Sequence, residues 1–193
     1  MSEALQSGLL KELVDKFSKL DTSQFLALEK EFETQTPYSI WTPNIGPQTS
    51  GFHCEADELF YGGQAGGGKS DLVLGLAFTV HDASLILREY SKDARALALR
   101  AQKIVGTTKG FNGQLLEFKY KDKVVEFGGC RNDQEMERFK GRPHDLICFD
   151  EISDFTENTF RFISAWNRSA KLGQRSRVLA TGNPPTKPEG LWV

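Results

Sequence analysis

The stretch GGQAGGGKS, residues 62–70, holds five of the chain's 18 glycines and ends in Lys-Ser. Glycine loses more backbone freedom on folding than any other residue, so this concentration indicates that something approaches the main chain closely. Residues 63–70 fit the phosphate-loop pattern G-x-x-x-x-G-K-[ST] at every position, with a predicted strand before them and an apolar helix after them. The stretch therefore predicts a strand, a loop and a helix that together bind a polyphosphate.

The expected chemistry of this loop is divided among its residues. The loop amides converge on phosphate oxygens, and the following helix directs the positive end of its dipole at the same place. The lysine supplies a cation for the β- and γ-phosphate oxygens, and the serine hydroxyl can ligate Mg²⁺. The predicted nucleotide-binding residues are Gly63, Gln64, Ala65, Gly66, Gly67, Gly68, Lys69 and Ser70.

Two further apolar stretches end in polar residues. LICF, 146–149, is followed by Asp150 and Glu151, and a later strand runs into Thr181 and Asn183. Because ligands of parallel sheets bind at the carboxyl ends of the strands, these side chains are expected beside the phosphate loop. Asp150 would then hold Mg²⁺, Glu151 would orient and deprotonate a water, and Asn183 would sense the γ-phosphate. Each signal is weak alone, since many strands end in solvated turns, but the loop strengthens all of them.

The rest of the chain alternates between predicted strands and helices. This alternation predicts an α/β fold, with a mostly parallel sheet covered by helices on both faces. Residues 36–57, rich in Pro, Gly, Thr and Ser, are predicted to form an ordered loop. The predicted strands are 59–62, 84–88, 146–149 and 177–181, with a hairpin around 114–120 and 123–127. The predicted helices are 69–81, 92–105, 133–139 and 157–166.

The N-terminal residues predict two helices before the main domain. Residues 4–20 are amphipathic, and Asp21 with Gln24 has the pattern of an N-cap pair that opens a second helix running to about residue 32. The apolar faces either pack on the chain's own core, which is favoured, or dock a partner. The predicted division is a helical segment, 1–35, and a core domain, 36–193.

Composition sets limits on function. The net charge is −2 and 39% of the residues are hydrophobic, which is enough for one core and gives no overall electrostatic case for nucleic acid. The three cysteines have no metal-ligand spacing and are expected to be reduced thiols, and no stretch predicts a membrane span, so a cytoplasmic location is expected. Lys119, Lys121 and Lys123 either follow phosphates or, as favoured, protect an edge strand.

Three stretches together resemble a known family. They are LFYGGQAGGGKSDLVLGLA at 59–77, FKGRPHDLICFDEISDFTENTFRFI at 139–163 and ATGNPPTKPEGLWV at 180–193. Their order resembles that of the large terminase subunits of tailed bacteriophages, which are ATP-driven motors of genome packaging. The resemblance spans most of residues 41–193, whereas the first 35 residues carry none of it.

The resemblance implies a P-loop ATPase of the additional-strand, RecA-like class that hydrolyses Mg²⁺·ATP to move double-stranded DNA into a procapsid. It implies that Lys69 and Glu151 are catalytic, that Ser70 and Asp150 bind the metal, and that Asn183 and Thr181 belong to a coupling motif. It also implies that Gln48 reads adenine.

The resemblance further implies a homo-oligomeric ring in the host cytoplasm. The ring would assemble on a portal with a small terminase subunit. An arginine would act in trans within it, for which Arg142 and Arg168 are the candidates.

The sequence departs from the family pattern at two places. Terminases often carry an arginine in the phosphate loop, whereas this chain has Gln64-Ala65 there, which predicts that a cis arginine is absent. The sequence ends at Val193 without a lid or a nuclease domain, so no DNA cleavage is expected from it. Two alternatives stay open: a helicase or recombination ATPase, and a nucleotide-gated interaction module with little turnover.

Overall fold

The computed structural model describes residues 21, 23–24, 40–64, 66–186 and 188–193. In this part of the chain, seven strands form one sheet in the order β1-β7-β6-β2-β5-β4-β3. The first five strands of that order are parallel, and β4 and β3 join the end of the sheet in antiparallel fashion. The strands are β1 Glu58–Gly62, β2 Ala83–Arg88, β3 Phe111–Asn112, β4 Glu117–Tyr120, β5 Lys123–Gly129, β6 Leu146–Asp150 and β7 Arg177–Gly182.

In the described residues, one helix precedes β1 and the others lie between strands. They are α1 Pro47–Phe52, α2 Lys69–Thr79, α3 Ser91–Val105, α4 Asp133–Met136 and α5 Glu157–Ser164, with 3₁₀ turns at Glu137–Phe139, Ile152–Asp154 and Pro188–Gly190. Every residue of β6 and β7 is buried, as expected of strands covered on both faces. The prediction of a mixed α/β fold with a mostly parallel sheet is confirmed. No helix among the described residues is long and apolar enough to cross a membrane.

The helix that follows the phosphate loop belongs to the core. All residues of α2 from Leu72 to Thr79 are buried, so this helix is apolar all round and is not amphipathic. Trp41 lies against it at Gly75, where an added Cβ would come within 2.1 Å of the indole ring. A glycine is therefore required at Gly75 for the segment before α1 to pack on α2.

Two short elements differ from the expectations. Residues 36–57 were expected to be a loop, but α1 lies within them, with a proline in its first turn and with Gln48 and Phe52 buried. The two-residue strand β3 was also not expected. Both elements are too short to produce a hydrophobic period, and α1 is held by tertiary contacts such as the Trp41–Phe52 ring pair, whose centroids are 5.8 Å apart.

The three lysines of the predicted hairpin have different surroundings. The predicted hairpin is confirmed, with Tyr120 opposite Lys123 across the turn. However, the Lys123 Nζ lies 2.9 Å from Asp82 Oδ1 and is mostly buried, and Lys119 pairs with Glu117. Lys119 and Lys123 are therefore paired with acidic side chains, and both proposed roles of the lysine row stay predictions.

Near the N-terminus, the predicted cap pair is confirmed. The backbone amide of Gln24 donates to Asp21 Oδ1, and the backbone amide of Asp21 donates to Gln24 Oε1. The remainder of the two predicted helices lies outside the described residues. The boundary at residues 35 and 36 stays a prediction.

Candidate active site

The phosphate loop connects the carboxyl end of β1 to the first turn of α2. Gly63, Gly66 and Gly68 have positive φ values of 142°, 87° and 70°. The Gly63 amide donates to the Gly182 carbonyl, 3.2 Å away, which fixes the start of the loop to the end of β7. Ala65 lies outside the described residues. The loop is thus attached at its start to the strand that carries the predicted coupling motif.

Gln48 fixes the other end of the loop. Its Nε2 donates to the Gly68 carbonyl at 2.8 Å, and its Oε1 accepts from the Asn44 amide at 2.6 Å. The side chain is buried, and it borders a cavity of about 400 Å³ that the loop and Tyr61 also line. Both ends of the Gln48 amide therefore bond to main chain, while its role in reading adenine stays a prediction.

Lys69 lies at the centre of the site and is 7% exposed. Its Nζ donates to the carbonyls of Gly63 and Gln64 at 2.8 and 2.9 Å, and to Asn183 Oδ1 at 2.9 Å. An ammonium has three donors, so these contacts account for all of them. The positive charge is held between the loop and the end of β7, which is where phosphate oxygens would need it.

Asp150 is the last residue of β6 and is 1% exposed. The Thr181 hydroxyl donates to its Oδ1 at 2.7 Å, because the strand register places Thr181 beside Asp150. The Ser70 Oγ lies 3.2 Å from both carboxylate oxygens. The Arg88 Nη1 donates to Oδ2 at 2.8 Å. Residues of α2, β2, β6 and β7 therefore meet at this carboxylate.

Glu151 has a left-handed backbone conformation, with φ 63° and ψ 63°. Such a conformation is strained for a residue with a side chain and is often found at functional sites. The Glu151 carboxylate accepts from the Asn183 backbone amide at 3.2 Å and lies 3.3 Å from Asn183 Nδ2. Because Asn183 Oδ1 accepts from Lys69, this one amide group connects the predicted phosphate-binding lysine to the predicted catalytic carboxylate.

The structure brings most of the predicted residues together and leaves two elsewhere. Arg142 lies shortly before β6, and the backbone amide of Arg168 donates to the carbonyl of His144, which also precedes that strand. Both arginines are therefore near the amino end of β6, whereas the phosphate loop follows the carboxyl end of β1. Arg142 pairs with Glu126, and the Arg168 guanidinium lies 5.0 Å from the centre of the Trp166 ring. Neither arginine contacts this site, and a role in trans stays a prediction.

Arg88 was missed by the sequence reasoning. No arginine stands in the described part of the loop, and β2 supplies one that donates to Asp150. The expectation that a cis arginine is absent from the loop stays a prediction. The signal was present in the sequence: SLILR, 84–88, is an apolar strand that ends in a charged residue, as LICFD does.

The oxygen atoms at the site fit a hard cation. The Ser70 hydroxyl and the Asp150 carboxylate converge within 3.2 Å, and oxygens are the ligands that Mg²⁺ prefers. In the part of the chain that the structure describes, no group of three or more His, Cys, Asp or Glu side chains converges in a way that could hold a metal ion. Mg²⁺ in nucleotide sites takes one or two protein ligands and completes its shell with phosphate oxygens and water. These residues therefore fit Mg²⁺ that binds together with a nucleotide.

Comparison with known proteins gives matches among solved structures. No protein-family model and no curated protein matches the sequence. Among solved structures, the large terminase of a thermophilic bacteriophage superposes with a TM-score of 0.54 at 13% identity, over 74% of this chain and 40% of that one. The large terminase of bacteriophage HK97 gives 0.53 at 12% identity, over 75% and 34%.

A variant of the large terminase ATPase domain from Thermus phage P74-26 gives a TM-score of 0.50 at 13% identity, over 75% of this chain and 67% of that domain. The chain shares the fold of large terminases. The resemblance that the sequence predicted is thereby confirmed at the level of the fold. The chain matches well under half the length of the first two terminases, so their complete activities are not transferred with the fold.

Proposed function

We propose that this chain is a Mg²⁺-dependent ATPase of the large terminase type. The observation that carries the proposal is the convergence of the loop, Lys69, Ser70, Asp150 and Glu151 in one hydrogen-bonded site. The strand order supports the finer class, because β7 lies between the loop strand β1 and the acid strand β6. That inserted strand is the feature expected of the additional-strand, RecA-like class.

The proposed division of labour follows from the contacts. The loop amides and Lys69 bind the β- and γ-phosphates, and Ser70 and Asp150 hold Mg²⁺, which supplies charge neutralisation on the phosphate oxygens when bound. Glu151 orients a water and accepts its proton. The water oxygen attacks the γ-phosphorus in line, and the bond to the departing ADP oxygen breaks. Asn183 contacts both Lys69 and Glu151 and can therefore report phosphate binding to the catalytic carboxylate.

The larger role is proposed from the shared fold. In the large terminase setting, ATP hydrolysis would power translocation of double-stranded DNA into a procapsid. The chain would work in a ring in the host cytoplasm, with a portal and a small terminase subunit as partners. Arg142 or Arg168 would reach a neighbouring subunit, which agrees with their position at the edge of the sheet away from their own loop.

Replacing Glu151 by Gln tests the proposed activity. The variant keeps an acceptor for Asn183 but loses the base, so phosphate release should fall about 10²–10⁴-fold while ATP affinity changes little. Glu137→Gln is the matched control, because Glu137 is an exposed glutamate that pairs with the exposed Lys140. Calorimetry measures binding and a phosphate assay measures turnover.

Two results would contradict the proposal. If Glu151→Gln hydrolysed ATP at the parental rate, the role given to this carboxylate would be wrong. If the parental chain bound ATP without any turnover, the nucleotide-gated interaction module would be the better account. DNA-stimulated unwinding by the chain would favour the helicase alternative.

A further inference from the structure

Arg88 lies at the carboxyl end of β2, beside the proposed metal site. It is the last residue of β2, which pairs with β5 on one side and with β6 on the other. The pairing of Leu87 with Phe149 places Arg88 next to the end of β6, and the Arg88 Nη1 lies 2.8 Å from Asp150 Oδ2. The Arg88 side chain is 24% exposed, whereas Asp150 is 1% exposed. One end of this ion pair is therefore fixed in the core and the other reaches solvent.

The two oxygens of Asp150 have different partners. Oδ1 accepts a short hydrogen bond from Thr181, and Oδ2 accepts from Arg88, with Ser70 near both. A buried carboxylate needs a compensating charge, and hydroxyl groups donate hydrogen bonds without supplying one. Among the described residues, the Arg88 guanidinium is the positively charged group that forms an ion pair with Asp150.

We propose that Arg88 is a positioning residue that holds the metal-binding oxygen of Asp150 until nucleotide arrives. The inference rests on the proposed function, since it concerns the Mg²⁺ site of that function. A divalent cation that approached Asp150 alone would meet the guanidinium at the same oxygen and would have to break a charge-assisted hydrogen bond. The phosphates of a nucleotide offer the guanidinium another anionic partner. The metal therefore binds weakly by itself and tightly together with nucleotide.

The exposure of the side chain is consistent with this exchange. The Arg88 carbonyl is fixed to the sheet by the Cys130 amide, 2.9 Å away, so the backbone stays in place while the guanidinium turns. Rotation of an exposed end about its side-chain bonds does not require the sheet to move. The same guanidinium can therefore face Asp150 or the phosphates from one backbone position.

The test measures metal binding without turnover. Mn²⁺ is the probe, and the electron paramagnetic resonance signal of free Mn²⁺ reports binding to the parental chain and to Arg88→Gln, with and without ADP. Without nucleotide, Arg88→Gln should bind Mn²⁺ about tenfold more tightly than the parental chain, because the competing charge is removed. Lys171→Gln is the matched control, since it breaks the pair of Lys171 with Asp82 before the amino end of β2, the opposite end of that strand from Arg88, and should leave Mn²⁺ affinity unchanged.

A purely structural role for Arg88 predicts a different result. It predicts a lower melting temperature for Arg88→Gln with no gain in affinity for Mn²⁺ alone, and that outcome would overturn the inference. Should Arg88→Gln fail to fold, Arg88→Met carries the test, because methionine is also long and flexible but carries no charge. Its Mn²⁺ affinity without nucleotide should exceed that of the parental chain, and an equal or lower affinity would overturn the inference.

The two proposals can fail separately. If the parental chain bound Mn²⁺ together with ADP but Arg88→Gln gained no affinity for Mn²⁺ alone, only the inference about Arg88 would fail. If the parental chain bound no Mn²⁺ even with ADP, the proposed function would fail and the inference with it.

Discussion

Alanine at Gly68 is expected to destabilise the chain by about 3 kcal/mol, whereas the same change at Gly106 should destabilise it by only about 1 kcal/mol. Both glycines have a left-handed backbone, with φ 70° at Gly68 and 75° at Gly106. A side chain in this conformation costs about 1 kcal/mol or slightly more at either position. The two sites differ in what the new methyl group would meet.

At Gly68 an added Cβ would lie 2.5 Å from Gln48 Nε2, whereas nothing lies within 4 Å of it at Gly106. Gln48 is buried and both ends of its amide bond to main chain, so moving it away breaks two hydrogen bonds. Each contributes about 1 kcal/mol to the free energy of unfolding, which gives the additional 2 kcal/mol or so.

Urea unfolding followed by tryptophan fluorescence measures both variants. In a Gln48→Ala background the obstruction is gone, so Gly68→Ala should then cost about as much as Gly106→Ala, which is about 1 kcal/mol. Equal destabilisation by Gly68→Ala and Gly106→Ala in the parental chain would show that Gln48 does not hold the loop.

Two further predictions concern the acid stability and the thiols. Burial by itself would raise the pKa of the Asp145 carboxyl, but His81 and the backbone amides of Asp82 and Ala83 lower that pKa. The ionised carboxylate should therefore stabilise the folded chain at neutral pH, and this stabilisation should be lost as the pH falls through the lowered pKa. Asp145→Asn should therefore destabilise the chain by about 1–3 kcal/mol at pH 7, and the difference from the parental chain should shrink below about pH 4 in urea titrations; a constant difference would contradict this. Burial raises the pKa of the Cys130 thiol to about 11 and that of Cys148 still further, whereas Cys54 is partly exposed. Alkylation followed by mass spectrometry should find Cys54 modified first, and equal rates at all three thiols would count against the buried positions.

The residues of the site were predictable from sequence where a local pattern decides the geometry. The loop pattern places glycines, Lys69 and Ser70 in order, and the rule that ligands bind at the carboxyl ends of parallel strands places Asp150 and Glu151 beside them. These predictions needed only the run of residues around each motif and the direction of the strands.

Other contacts depend on strand order and on distant partners. Arg88 meets Asp150 because β2 lies next to β6, and nothing in SLILR itself indicates which strand is its neighbour. Asn183 contacts Lys69 across 114 positions of the chain. The helix α1 was missed because its six residues are held by the burial of Gln48 and Phe52, and a helix of that length has no clear period.

A crystal structure of the chain with Mg²⁺ and a non-hydrolysable ATP analogue would show whether the loop and Asp150 form one nucleotide site. We expect the phosphates to lie on the amides of residues 66–70, with Lys69 on the β- and γ-phosphate oxygens. We also expect Mg²⁺ between Ser70 and Asp150, with the Arg88 guanidinium moved off the Asp150 oxygen. A triphosphate bound away from the loop, or a metal with no contact to Ser70 or Asp150, would rule out the proposed site.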